Sequence, residues 1–165
     1  MGKLLDTMNE AGMLDWATLL VGLYERWLTR EDAVAFAVNW LVANPDESDD
    51  QIIELAGLDY ASDREIRELV AKVAQRNSAF IETDEERYKS EMEKWRFAHL
   101  KILDEAKLPD SQKIDELQQL IADFGYPQDM ADCSIYGTPG IDPLSALKKV
   151  IANLRVGLSI RFTKP

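Results

Sequence analysis

Between Met13 and Leu28 polar residues are few, and Asp15, Thr18, Gly22 and Glu25 recur at intervals of 3, 4 and 3. That spacing follows the helical period and leaves one narrow polar stripe on an otherwise apolar helix, which belongs in the middle of a core. Thr29 then offers a cap with Glu31 and Asp32 in the first turn, where the helix dipole favours acids, and the apolar run from Ala33 to Ala43 continues until Asn44-Pro45 stops it. A buried strand shows a similar run. The cap, the alanines and the length decide for a second core helix.

Three capping boxes follow, each a hydroxyl residue with Glu or Gln three positions later: Ser48 with Gln51, Ser62 with Glu65, and Thr83 with Glu86. They predict a short helix closed by Gly57, a second running to about Asn77, and a third from Asp84 to about Lys107. The third places Tyr88, Met92, Trp95, His99, Ile102 and Leu103 on one face, and Leu108-Pro109-Asp110 ends it. A sixth helix carries Ile114, Leu117, Leu120 and Ile121 to about Phe124 and meets Gly125, where helices commonly end in a left-handed residue. From 125 to 142 the chain is too dense in glycine and proline for a long element, with room for one turn over Gln128–Ala131. Asp142-Pro143 opens a last helix through Leu158, and Phe162 to Pro165 are expected to fray. No segment sustains period-2 alternation. The expected fold is all-α: a single-domain bundle over residues 1–165, of about six or seven helices, with one Gly/Pro-rich loop before the C-terminal helix.

Composition supports one core-forming domain, with 165 residues, 46% hydrophobic and 30% charged. No stretch reaches the roughly 18 uncharged apolar residues of a membrane span, and the N-terminus meets Asp6 and Glu10 before a signal-peptide apolar region builds. A cytoplasmic location is expected. One cysteine, Cys133, excludes an internal disulfide, and one histidine, His99, leaves no Cys/His set for zinc, so neither metal nor cofactor is expected. The net charge of −11 argues against nucleic acid and anionic membrane as direct ligands and suits a basic partner. Residues 1–60 hold twelve acids against three bases, a balance of −9, which leaves −2 for the remainder.

Candidate chemistry is sparse. Asp46-Glu47-Ser48-Asp49-Asp50 invites a calcium-loop reading, but counting from Asp46 puts Gln51 at the position of the sharp-turn glycine and Gly57 at that of the bidentate glutamate. The acids Asp46, Glu47, Asp49, Asp50, Glu54 and Asp59 then form either a solvated acidic turn or a docking surface that steers a basic protein. His99 beside Trp95 and Ile102 reads as a half-buried core histidine; with Cys133 it would give a nucleophile and base, but no cysteine-hydrolase signature accompanies them. There is no G-x-S-x-G, no glycine-rich phosphate loop and no H-E-x-x-H, so the chain is not expected to be an enzyme. Tyr126 and Tyr136 stand in the Gly/Pro-rich loop beside Asp129 and Asp132. Such a loop has the composition of a recognition surface, unless the rings fold back over the core and leave only the acids outside.

Arg26-Trp27-Leu28 with Glu31-Asp32-Ala33, Leu55-Ala56-Gly57-Leu58, Lys94-Trp95-Arg96-Phe97, Ala122-Asp123-Phe124-Gly125-Tyr126-Pro127 with Asp129-Met130, and Cys133-Ser134-Ile135-Tyr136 together resemble a bacterial family of small acidic proteins catalogued as a domain of unknown function. The resemblance spans nearly the whole chain. It implies an association with polymorphic toxin systems, including contact-dependent growth inhibition, in which a small immunity protein neutralises the C-terminal toxin domain of its own system. It implies an EndoU-like ribonuclease as the particular partner and transfers no functional residues, while the acidic charge itself suits a basic nuclease toxin, which must carry Lys and Arg to hold nucleic acid. The expectation is therefore an immunity protein that blocks a toxin surface; an acidic adaptor or regulatory scaffold using the same face is the alternative.

Overall fold

The computed structural model describes residues 2–58 and 61–162, and every regular element among them is helical: eight α-helices and one 3-10 helix. The all-α expectation holds. The residues group into two compact units divided between Met92 and Glu93.

The first unit contains α1 (Lys3–Glu10), α2 (Trp16–Tyr24), α3 (Arg30–Ala43), α4 (Asp50–Ala56), α5 (Asp63–Ser78) and the first part of α6 (Glu85–Glu105). Helix α1 was not predicted, because its apolar positions Leu4, Leu5 and Met8 span too few residues to establish a period; Leu5 and Met8 are nevertheless fully buried. Helix α2 is central as expected, with Trp16 to Leu23 all buried, but it is shorter than the apolar pattern from Met13 to Leu28. Asp15 begins it by accepting from the Thr18 backbone N–H at 2.8 Å. Arg26 ends it in the left-handed conformation at φ 60°, with the Trp27 N–H on the Gly22 carbonyl at 2.9 Å and the Arg26 N–H on that of Leu23 at 3.3 Å. Those two bonds are the Schellman closure of a helix.

Helix α2 packs against α5, and α4 packs against both α3 and α5. Trp16 meets Phe36 and Trp40 edge-on, with ring centroids 4.8 and 5.4 Å away. The capping boxes Thr29/Asp32 and Ser62/Glu65 are both formed reciprocally. The other two boxes are corrected by one residue each. Helix α4 is capped by Asp49, which accepts from the Gln51 and Ile52 N–H groups, and α6 by Asp84, which accepts from the Arg87 N–H at 3.1 Å.

The second unit holds the remainder of α6, α7 (Asp110–Asp123), the 3-10 helix (Gln128–Cys133) and α8 (Pro143–Phe162). The 3-10 helix is longer than the single turn predicted there. It buries Met130 and Cys133 and packs against α7 and α8. Helix α6 does not bury one face alone: Lys94, Trp95, Arg96, Phe97 and Ala98 are consecutively buried. Helix α7 ends as predicted at Gly125, φ 71°, with the Tyr126 N–H on the Ile121 carbonyl at 2.8 Å. Asp142 caps α8 by accepting from the Ser145 N–H at 3.0 Å. The helix reaches Phe162, and the fraying expected beyond it lies outside the described residues.

Candidate protein-binding surface

Charge divides with the fold. Residues 1–92 carry twenty acids and nine bases, a balance of −11, whereas residues 93–165 carry ten of each. The whole net charge therefore belongs to the first unit, and the acidic turn between α3 and α4 lies within it. Asp46 in the turn and Asp50 and Glu54 on α4 are exposed, and Asp59 lies outside the described residues. Glu47 and Asp49 are half-buried and engaged internally. Glu47 accepts from the Trp40 indole N–H at 3.1 Å and from the Asp49 and Ser48 N–H groups at 3.0 Å each, and these donors, Trp40 first, hold its carboxyl below the usual range. Asp49 caps α4 and pairs with Arg76 of α5 at 2.5 Å. The turn is thus fixed by two acids, while Asp46, Asp50 and Glu54 face solvent.

The loop from 125 to 142 is built differently. Four of the ten exposed large hydrophobic side chains among the described residues fall in it: Tyr126, Ile135, Tyr136 and Ile141. Tyr126 is 74% exposed and Tyr136 90%, so the rings face outward rather than folding over the core. Their backbone is held on several sides. The Gln118 amide of α7 donates to the Cys133 carbonyl at 3.0 Å and accepts from the Ile135 N–H at 3.1 Å. Arg96, buried on α6, makes a bidentate pair with Asp129 at 2.5 and 3.0 Å. The Thr138 hydroxyl donates to Asp132 at 2.8 Å. A Cβ on Gly137 would lie 2.6 Å from the Ala131 carbonyl oxygen, so glycine is required for this close approach. Of the four loop residues singled out in the sequence, Asp129 and Asp132 tie the loop down and Tyr126 and Tyr136 project from it.

Tyr126 also adopts φ 56°, a left-handed conformation that bulky residues rarely occupy. Ile135 and Ile141 joined this surface without a sequence signal, since an isoleucine in a short irregular segment looks the same whether it points in or out. The braces Gln118 and Arg96 were equally hidden, because their partners lie many positions away in the chain.

Cys133 is buried, and burial, reinforced by Asp129 and Asp132, pushes its thiol up to about 11. Desolvation lowers His99, whose ring meets Phe124 edge-on at 5.7 Å. Both shifts favour the neutral groups, opposite to the thiolate and imidazolium of an activated cysteine nucleophile. Among the described residues no group of three or more His, Cys, Asp or Glu could hold a metal ion, and no helix is long and apolar enough to cross a membrane.

A family model described as "Uncharacterized protein conserved in bacteria (DUF2247)" matches residues 5–159. No curated protein and no solved structure matches the chain.

Proposed function

This chain belongs to the bacterial family DUF2247, and we propose that it is an immunity protein that binds a basic toxin domain and neutralises it by covering its active or substrate-binding surface. The observation that carries this reading is the braced loop that holds Tyr126 and Tyr136 in solvent. Ordering a flexible loop on binding costs free energy, and a loop already fixed by folding avoids that cost, so rigid exposed aromatics are the side chains from which interface anchors are made. The acidic first unit adds long-range attraction for a partner rich in Lys and Arg. A nuclease carries such residues to hold its substrate. The resemblance described above supplies the toxin system, contact-dependent growth inhibition, and an EndoU-like ribonuclease as the partner to try first.

The test is kinetic. The basic product of an adjacent reading frame is immobilised and the chain is passed over it, with circular dichroism confirming that every variant keeps its helices. Tyr126→Ala and Tyr136→Ala should each lose about 2 kcal/mol or more, roughly a thirty-fold faster dissociation. Two folded variants that dissociate at the wild-type rate would place the interface elsewhere. The adaptor alternative is separated by activity, since an adaptor binds its partner without abolishing the partner's reaction.

A further inference from the structure

The second feature lies within the acidic unit and is independent of the toxin reading. Three of that unit's nine cationic side chains, Arg26, Arg30 and Arg67, line one groove of about 640 Å³. Its apolar lining comes from Leu23, Leu28 and Ile66, all buried. Two carboxylates share it. Glu31 is paired with Arg30 at 2.7 Å, and Asp63 opens helix α5. Among the described residues neither Arg26 nor Arg67 has a carboxylate partner; Arg67 lies over the Tyr24 ring at 5.8 Å, and Arg26 is exposed. In a unit with more than two acids for each base, two guanidiniums beside one groove with no acid partner among the described residues run against the local composition.

The backbone at Arg26 adds a separate argument. Among the described residues three helices close with a Schellman arrangement, α1 through Gly12 at φ 67°, α7 through Gly125 at φ 71° and α2 through Arg26 at φ 60°. Glycine takes that conformation without steric cost, and arginine does not. A strained residue at the rim of a groove points to a use for its side chain rather than for its backbone.

We propose that this groove is a binding site for a small organic oxyanion, a carboxylate or phosphate ester with an apolar body, whose charged head is held by Arg26 and Arg67. Guanidinium matches both heads bidentately, and the groove volume lies in the range of small-molecule sites. The apolar body lies on Leu23, Leu28 and Ile66, and Asp63, a carboxylate in the same lining, disfavours a second negative group.

The experiment is a titration of the intact, isotope-labelled chain, followed by amide chemical shifts, with phenylacetate, phenylphosphate and inorganic phosphate as separate probes. Both organic probes should give saturable shifts at Leu23, Leu28, Thr29 and Ile66, with dissociation constants on the order of 1 mM. Inorganic phosphate should bind at least about 10-fold more weakly for want of an apolar body. Arg67→Gln and Arg26→Gln should each weaken the organic probes about 10-fold or more, whereas Arg64→Gln, which removes a cation already paired with Glu68 and outside the groove, should not. Arg26→Gly should lose binding and melt at a higher temperature, because glycine relieves the left-handed strain. Shifts that do not saturate, or that survive both arginine substitutions, overturn the site; inorganic phosphate binding as well as the organic probes overturns the apolar half of the assignment.

Discussion

Gly137 shows how an absent methyl group shapes a surface. A Cβ there would meet the Ala131 carbonyl oxygen at 2.6 Å and the Ser134 carbonyl oxygen at 3.0 Å, both backbone atoms with little freedom to retreat. Gly137→Ala should therefore destabilise the protein by about 1–3 kcal/mol in urea unfolding, as overpacking of a tight site does, and should displace the neighbouring Tyr136. Cys133 gives a chemical readout of the same region. Its buried thiol is pushed up to about 11, so alkylation by iodoacetamide at pH 7 should be slow in the native chain and fast only once urea exposes it. Rapid native alkylation would contradict the described packing of the 3-10 helix. At this scale the sequence singled out a loop, and the structure divides the roles within it. Tyrosine between glycine and proline marks a turn, whereas the direction of its ring is decided by Gln118 and Arg96, whose involvement depends on tertiary contacts.

Elements were most legible where their signals are local. Thr29 and Ser62 cap α3 and α5 as their spacing predicts, and Asp142-Pro143 opens α8. Ser48 and Thr83 lose their places to the next residue because Asp49 and Asp84 are aspartates, which cap at least as well and bring negative charge to the helix N-terminus. Asp49 gains further from Arg76, a partner 27 residues away that no local rule sees. The turn before α4 also has a pH signature. Hydrogen bonds from the Trp40 indole and two backbone amides hold the Glu47 carboxyl below the ordinary glutamate value of about 4.3. A depressed folded value contributes stability that is complete above the unfolded value and is lost as pH falls through the folded one. Glu47→Gln should therefore make urea stability fall less steeply below about pH 4.3 than in the wild type, followed by tryptophan fluorescence. Some decline should remain, since Glu31, Glu65 and Asp142 are lowered in the same direction by their own hydrogen bonds.

For the molecule as a whole, the sequence showed a negative N-terminal segment, and the fold turns this into a sharper division, −11 against zero, once the boundary at Met92 is known. Association with a basic partner should accordingly slow as salt is raised past the point where the Debye length falls to about 8 Å, with dissociation little changed. Reversing Asp46, Asp50 and Glu54, which are exposed and do not cap α4 or pair with Arg76, should reproduce the slow association at low salt without unfolding the turn. An association rate indifferent to both changes would remove steering from the account. The boundary itself has another consequence. It falls between Met92 and Glu93, inside the helix Glu85–Glu105. A chain cut there would leave an uncapped helix end on each piece, with up to about four backbone carbonyls on one and four N–H groups on the other lacking the partners that a continuous helix gives them. Either unit made alone should therefore need a few residues beyond its own boundary, and a new cap, to finish its last turn.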